Sequence, residues 1–202
     1  MTLIIGIAGR MRTGKSSLAK LIRGMFQTDI DAIVHIDSFA NALRKEVAEA
    51  LFKNTHSPSA QFLLAQKEEQ DKSAIRPLLQ AFGQAKRDLV FPDYWIYELE
   101  QNIPQGIDVL IIDDVRHNNE ADWVLENGGI LIRLFAHNEV LIQRGAEEER
   151  LKHYSETAMQ NPSDVEMRFA HRVLTLNTGG LSPHGMLKAL SPFLKEMVGD
   201  LI

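Results

Sequence analysis

A glycine-rich stretch near the start of the chain has the residue types that bind phosphate groups. Residues 9–16, here called the phosphate loop, read Gly-Arg-Met-Arg-Thr-Gly-Lys-Ser and fit the pattern G-x-x-x-x-G-K-[ST] without exception. Glycines let the backbone wrap around an anion with its N–H groups pointing inward, and a following helix adds its positive N-terminal end. We therefore expect Lys15 to reach the β- and γ-phosphates of a nucleotide and the Ser16 hydroxyl to bind Mg²⁺. A random chain of this length matches the pattern roughly once in 100, and the context between a predicted strand and a predicted helix favours a true site.

Carboxylates follow two of the predicted strands, at the edge where open α/β sheets bind ligands. Asp113 and Asp114 come after the apolar run 109–112, and Asp37 comes after the run 32–36. We predict Asp113 as the second Mg²⁺ ligand, with a helix cap as its alternative role. Many motor ATPases with this loop have a glutamate where Asp114 stands, which disfavours an ATP-driven machine. Asp37 is a candidate general base or substrate ligand, and a cap of the next helix is an equal alternative.

Arginines and one tryptophan are further candidates for binding. Phosphoryl transfer needs positive charge, and the planar fork of arginine suits a phosphate group. Arg116 and Arg76 lie beside a strand end and a proline break, where plain surface charge is less expected than at Arg87 or Arg150. Trp95 follows a turn and could stack on a base, or it could anchor a helix in the core.

Apolar periodicity predicts the elements that must position these residues. Compact apolar runs predict strands over 3–8, 32–36, 107–112, 130–135 and 172–176. Helical spacing predicts helices over 16–26, 120–126, 139–154 and 183–198. Residues 60–101 read as helical in pieces, without a strand. The alternation of strands and helices predicts a mostly parallel sheet with helices on both faces, and the long helical stretch predicts a subdomain beside it.

Composition limits the classes of protein that remain. The chain has 202 residues, a net charge of −5, 45% hydrophobic residues and no cysteine. These values exclude a mainly disordered chain, a disulfide scaffold and a cysteine-ligated metal site. The apolar runs are too short to cross a membrane, and the acidic balance disfavours nucleic acid as a partner. We expect one cytoplasmic domain with an insertion, and a small-molecule substrate.

With these motifs in place, the chain resembles the deoxynucleoside monophosphate kinases of bacteriophages. That family belongs to the adenylate-kinase-like branch of P-loop kinases, and the resemblance covers nearly the whole chain. Its strongest parts are the phosphate loop and the segments 36–43, 76–80, 92–95 and 113–120. Weaker similarities lie at 153–157 and 177–180.

The resemblance implies a P-loop NTPase fold with a five-stranded parallel sheet and helices on both faces. It implies transfer of the ATP γ-phosphoryl group to a deoxynucleoside monophosphate, giving a diphosphate and ADP for DNA precursor synthesis. The insertion of about 38–105 would bind the monophosphate, and a segment of about 137–160 would form a lid from which Arg144 closes on the triphosphate. Residues 177–180 would approach the adenine. The family also suggests a homodimer and, for a phage protein, the host cytoplasm.

The resemblance assigns residues to each part of the site. The catalytic group is Lys15, Arg116, Arg144 and Asp37. Ligands of ATP are Gly9, Arg10, Arg12, Thr13, Gly14, Lys15, Ser16, Ser17, Asn177 and Gly179. Ligands of the acceptor are Asp37, Phe39, Arg44, Arg76, Gln80, Trp95, Arg116 and Glu120. Mg²⁺ would be bound by Ser16 and Asp113.

Two departures from the family and two rival functions remain open. Ser16 stands where relatives often have an aspartate, and His171 stands where they often have an acidic residue. A P-loop kinase of another small acceptor, such as dephospho-coenzyme A, would use Asp37 as a base toward a hydroxyl. A nucleotide-dependent ATPase or switch is the other rival. The bases accepted by the site cannot be read from the sequence.

Overall fold

The computed structural model describes residues 2–52, 56, 58, 75–152, 159 and 161–198. The chain divides into two compact units. The first, the sheet unit, comprises Met1–Asp37 and Pro104–Ile202, and the second, the helical unit, comprises Ser38–Ile103. The predicted insertion of about 38–105 has nearly the bounds of the helical unit, and its binding of a monophosphate stays a prediction.

The sheet unit is built on five parallel strands. They are β1 (Leu3–Gly9), β2 (Val34–Asp37), β3 (Val109–Val115), β4 (Ile130–Phe135) and β5 (Val173–Asn177). The strand order is β2-β3-β1-β4-β5, and every neighbouring pair is parallel. The inner strands β3, β1 and β4 are mostly buried and largely apolar, which is why compact apolar runs predict them, whereas the edge strands β2 and β5 are half-buried and include polar residues.

Helices connect and cover the strands, and three of the described helices belong to the helical unit. In chain order they are α1 (Lys15–Ile30), α2 (Phe39–Leu51), α3 (Arg76–Leu89), α4 (Tyr94–Glu100), α5 (Asn118–Glu126), α6 (Asn138–Gln143), α7 (Glu148–Leu151), α8 (Asp164–Arg168) and α9 (Pro183–Val198). Among these described helices, none is both long and apolar enough to cross a membrane.

The main core lies between the sheet and the helix pair α1 and α9. Ile5 and Ile7 of β1, Leu18 of α1 and Leu190 of α9 are fully buried in this cluster. Helix α5 packs against β1 and β4 and buries Val124. This packing holds the end of β1, and therefore the phosphate loop, on a rigid support.

Several predicted boundaries differ from the observed ones. One helix was expected over 139–154, but the described part of that range contains two short helices, α6 and α7, because Gly145, with a φ of 86°, ends the first. Strand β3 does not end at Ile112 and continues to Val115, so Asp113 and Asp114 lie within the strand. The predicted similarity at 153–157 lies outside the described residues.

The helical unit has its own small core. Helices α2, α3 and α4 pack on one another. Val47 and Ala48 of α2 are buried against Leu79 and Phe82 of α3. Trp95 of α4 is 1% exposed, and its Nε1 donates a hydrogen bond to the Gly83 carbonyl oxygen over 3.0 Å.

Candidate active site

The phosphate loop leaves β1 and enters α1 through two glycines with positive φ. Gly9 ends β1 with a φ of 147°, and Gly14 precedes α1 with a φ of 96°. A Cβ on Gly9 would lie 2.4 Å from the Leu134 carbonyl oxygen, and one on Gly14 would lie 2.8 Å from Cε of Met186. At Gly9 the obstacle is backbone, so no side chain fits there, whereas at Gly14 the flexible end of Met186 could move and the positive φ is what favours glycine.

Lys15 and Thr13 fold onto the inside of this loop. Lys15 Nζ donates to the carbonyl oxygens of Gly9 and Arg10 over 2.6 and 2.9 Å, and Thr13 Oγ1 donates to that of Arg10 over 2.8 Å. Thr13 is fully buried, and Lys15 is 9% exposed. The ammonium group is therefore enclosed by the loop, where Coulomb attraction to an anion is screened less than in bulk water. Ser16 and Ser17 are exposed in the first turn of α1.

Arg10 and Met11, at positions of the phosphate loop where the pattern allows any residue, contact the segment that follows β4. Arg10 Nη1 donates to Asn138 Oδ1 over 2.7 Å, and Nη2 donates to the Leu151 carbonyl oxygen over 2.6 Å. Met11 is buried beside Leu141 and Leu151. Sequence reasoning assigned Arg10 to ATP, whereas the structure places its guanidinium on the protein. These long-range contacts leave no local signal in the sequence.

Arg144 ends α6 and binds two backbone segments of the sheet unit. Its Nη1 donates a hydrogen bond to Thr178 Oγ1 at a distance of 3.1 Å and another to the Arg12 carbonyl oxygen at 3.3 Å. Its Nη2 donates to the Thr178 carbonyl oxygen at 2.5 Å. Arg12 itself is exposed and has a φ of 62°, which is uncommon for a residue with a side chain. Arg144 thus joins the phosphate loop to the turn after β5.

The turn after β5, residues 177–180, is held by local hydrogen bonds. Asn177 Oδ1 accepts the Gly179 N–H over 2.9 Å, and the Thr178 N–H donates to the Phe135 carbonyl oxygen over 2.8 Å. Thr178 is fully buried, while Asn177 and Gly179 are exposed. The two exposed residues are those that the sequence assigned to ATP.

A bulge in β3 carries the two adjacent aspartates. Between regular pairs of β1 and β3, Asp113 and Asp114 stand opposite the single residue Ile7. Such a bulge redirects side chains and is common beside active sites. No group of three or more acidic or histidine side chains able to hold a metal ion occurs in the part of the chain that is described. One carboxylate and one hydroxyl suit Mg²⁺, which takes few protein ligands and several phosphate or water oxygens.

Arg116 follows β3, and Glu120 caps the helix beyond it. One carboxylate oxygen of Glu120 accepts the backbone N–H groups of Arg116 and His117 over 2.8 and 3.1 Å. Glu120 is 2% exposed. The prediction that Glu120 binds the acceptor is corrected here, because the carboxylate is buried and satisfies the start of α5. Its observed role is to fix the backbone that bears Arg116.

Asp37 ends β2 with a histidine on the same side of the strand. His35 Nε2 lies 3.7 Å from Asp37 Oδ2, as expected for residues two apart on a strand. The Asp37 side chain is 15% exposed and that of His35 is 38% exposed. Sequence reasoning did not consider this pair.

The predicted acceptor residues of the helical unit have different surroundings. Phe39 is 4% exposed, and Arg44, at 7%, donates a hydrogen bond to Asn41 Oδ1. Arg76 and Gln80 are half-buried at the start of α3. The base-stacking prediction for Trp95 is corrected by its burial, since both ring faces are enclosed and its N–H is used inside the unit. The core alternative is the observed one.

Sequence reasoning did not find two charge networks, a partly buried one in the helical unit and a more deeply buried one in the sheet unit. In the helical unit, Lys86 Nζ lies 2.6 Å from Glu46 Oε2 and donates to the Tyr94 hydroxyl over 3.0 Å. Hydrogen bonds to Glu46 and Tyr94 raise the pKa of Lys86, and burial raises the pKa of Tyr94. In the sheet unit, Arg133 Nη1 donates to Glu166 Oε2 over 2.8 Å, and burial raises the pKa of Glu166 against the opposing effect of Arg133.

Comparison with known proteins supports the fold class. No protein-family model matches the sequence, and the search of curated proteins finds no match. Among solved structures, a gluconokinase from Sinorhizobium meliloti 1021 is 14% identical with a TM-score of 0.50, covering 98% of this chain and 95% of that one. A shikimate kinase from Aquifex aeolicus vf5 is 14% identical with a TM-score of 0.45, covering 96% and 97%. One from Bacteroides thetaiotaomicron is 15% identical with a TM-score of 0.43, covering 98% of each chain.

The fold prediction is confirmed. The phosphate loop between β1 and α1, the strand order and the likeness to the gluconokinase define a P-loop NTPase fold. At 14% identity, this likeness concerns the fold.

Proposed function

We propose that this protein is an ATP-dependent kinase that transfers the γ-phosphoryl group to a deoxynucleoside monophosphate, giving a deoxynucleoside diphosphate and ADP. The observation that carries the ATP part is the loop geometry around Lys15. Its Nζ is held by the Gly9 and Arg10 carbonyl oxygens inside a loop that directly precedes the 16-residue helix α1. An ammonium group, a helix N-terminus and a glycine-lined backbone together suit a chain of phosphates.

Lys15, Ser16 and Asp113 are the proposed donor-side residues. Phosphate oxygens replace the loop carbonyls as partners of Lys15, and its charge offsets the negative charge that develops on the transferring group. Ser16 and Asp113 are proposed to hold Mg²⁺, which would neutralise part of the negative charge of the phosphates. The exposure of Ser16 at the start of α1 and the half-buried position of Asp113 in the β3 bulge fit this assignment.

The turn 177–180 is proposed to contact the adenine base. Asn177 and Gly179 are exposed there, while the buried Thr178 fixes the turn to the end of β4. A turn fixed in this way presents backbone groups in a constant position, which lowers the entropy lost on binding.

Arg116 is the proposed acceptor-phosphate ligand of the sheet unit, and Arg76 and Gln80 are the proposed acceptor ligands of the helical unit. The choice of a nucleotide acceptor rests on the sequence similarity of segments 76–80, 92–95 and 113–120 to bacteriophage monophosphate kinases. A guanidinium fork suits the monophosphate because it stays charged and binds two oxygens at once. The buried cap formed by Glu120 supports this role, because it holds the backbone of Arg116 in one position.

A kinase of a hydroxyl-bearing acceptor is the second candidate, and the pair of His35 and Asp37 favours it. A carboxylate at the end of β2, with a histidine 3.7 Å away, can accept a proton from an attacking hydroxyl. A phosphate acceptor needs no such base. The gluconokinase with the same fold is the reason to include gluconate among the acceptors tested.

The test is ADP formation from ATP and Mg²⁺ with single acceptors. Each deoxynucleoside monophosphate, each ribonucleoside monophosphate, gluconate and dephospho-coenzyme A are offered separately. ADP formation that depends on a deoxynucleotide supports the proposal, and dependence on a hydroxyl acceptor supports the second candidate. Steady phosphate release without any acceptor overturns both and indicates an ATPase or switch.

Replacing Lys15 tests the donor site itself. We expect Lys15→Ala to lower kcat/KM by at least about 10²–10³-fold, since a charge that stabilises the transition state is removed. Lys20→Ala is the matched control, because it removes an exposed lysine from the same helix. Near-normal turnover by Lys15→Ala would remove the phosphate loop from the mechanism.

A further inference from the structure

The guanidinium of Arg144 has its hydrogen-bonding fork directed at the protein. Nη1 and Nη2 donate to the two oxygens of one residue, Thr178, over 3.1 and 2.5 Å. Nη1 also approaches the Arg12 carbonyl oxygen, at 3.3 Å. A paired donation of this kind is the geometry that would otherwise bind a phosphate or carboxylate. Both terminal nitrogens of Arg144 are thus committed to backbone and hydroxyl oxygens.

Thr178 is held from the opposite side by strand β4. Its N–H and its hydroxyl both donate to the Phe135 carbonyl oxygen, over 2.8 and 3.2 Å. The hydroxyl therefore uses its hydrogen on Phe135 and a lone pair on Arg144. Because Thr178 is fully buried, loss of the guanidinium would leave its hydroxyl oxygen without that donor and away from water, and its carbonyl oxygen would keep the Leu181 N–H at 3.2 Å.

We infer that Arg144 is a positioning residue, which holds the turn 177–180 in register with the phosphate loop, and that it does not bind the triphosphate. The inference rests on the proposed binding of ATP. The Arg144 guanidinium donates hydrogen bonds to the backbone of both Thr178 and Arg12. It therefore sets the distance between the turn 177–180, which is proposed to contact the base, and the phosphate loop. This assignment replaces the lid role that the family resemblance implies for Arg144.

A ligand without a base distinguishes between two roles of Arg144, binding the phosphates and positioning the turn 177–180. Inorganic triphosphate has the phosphates of ATP without adenine or ribose. A residue that binds phosphates contributes to both ligands, whereas a residue that positions the base turn contributes to ATP alone. We expect Arg144→Ala to weaken binding of MgATP by about 10- to 100-fold, since the loss of hydrogen bonds to a charged group has effects of that size. Binding of magnesium triphosphate should change by less than about threefold, since the single contact with the phosphate loop is long.

The variants are compared by calorimetry and by amide hydrogen exchange. Arg144→Lys retains the charge without the fork, and Thr178→Val removes one acceptor while keeping the carbonyl, so both should show intermediate losses for MgATP. Lys152→Ala is the matched control, because it removes an exposed cation whose partners are Glu148 and Glu149. Exchange of the Thr178 and Gly179 amides without ligand reports the position of the turn independently of nucleotide.

Faster exchange at 178–179 in Arg144→Ala, together with a selective loss of MgATP affinity, supports the inference. Equal losses for MgATP and triphosphate would overturn it and return Arg144 to the phosphates. Unchanged exchange in that variant would overturn it as well. If the wild-type protein binds neither ligand, the proposed function fails, and the exchange measurement still decides whether Arg144 positions the turn.

Discussion

Replacing Gly9 by alanine should destabilise the protein strongly, although it adds a single methyl group. The added Cβ would lie 2.4 Å from the Leu134 carbonyl oxygen, and 2.9 Å from Thr13 Oγ1. Carbon and oxygen atoms do not approach so closely, so the backbone must move. Leu134 pairs with Gly9 in the β1–β4 ladder, and moving either residue disturbs the sheet.

The expected cost has two sources. A residue with a side chain at a φ of 147° costs about 1–3 kcal/mol in backbone strain. Overpacking at a site that cannot relax costs about 1–3 kcal/mol more. A total near 4 kcal/mol is a large part of the roughly 5–15 kcal/mol of stability of a typical domain. For a chain of this size, that loss lowers Tm by about 8–16 °C.

The assay is urea unfolding of Gly9→Ala and of Gly24→Ala, followed by circular dichroism. Gly24 is exposed in α1, and a Cβ there would meet nothing within 4 Å. We expect Gly24→Ala to stabilise the protein by up to about 1 kcal/mol, because alanine favours a helix over glycine. If Gly9→Ala unfolds within about 0.5 kcal/mol of the wild type, the close contact with Leu134 is refuted.

Two further changes test buried side chains, one in each unit. Burial raises the pKa of Glu166, so the folded protein favours the protonated carboxyl group, and the wild type loses stability as pH rises and this group ionises. Glu166→Gln does not ionise. The unfolding free energy of Glu166→Gln relative to that of the wild type should therefore increase as pH rises above about 4.5. A pH-independent difference in urea unfolding would contradict this reasoning. Trp95→Phe should lose about 1–3 kcal/mol, since it removes buried volume and the hydrogen bond to Gly83. A loss under about 0.5 kcal/mol would contradict the burial of the indole.

The sheet and the phosphate loop were predictable because their signals are local. The three inner strands appear as largely apolar runs, and the fourth strand has the predicted bounds, Ile130–Phe135. The phosphate loop is a contiguous pattern whose glycines are required by backbone conformation. Neither the apolar runs nor the phosphate-loop pattern depends on contacts between residues that are distant in the sequence.

The partners of the arginines and the bulge in β3 could not be predicted in this way. Arg10 meets Leu151, and Arg144 meets Thr178, so these contacts depend on how separate segments fold together. The predicted third strand ends before Asp113 because aspartate is uncommon in strands, and only the pairing with β1 shows that the strand continues. Trp95 had two roles consistent with its sequence context, and burial decided between them.

The central place of β1 in the sheet has a consequence for the order in which the protein forms. Leu3 pairs with Val109, and Ile5 pairs with Ile130, so the strand made first is flanked by strands made much later. At about 5–20 residues per second, a ribosome needs about 5–20 s to add the intervening hundred or so residues. During synthesis, β1 therefore waits with both edges unpaired. A nascent chain that stops before β3 cannot support the phosphate loop, and the proposed nucleotide binding should appear only after most of the chain has been made.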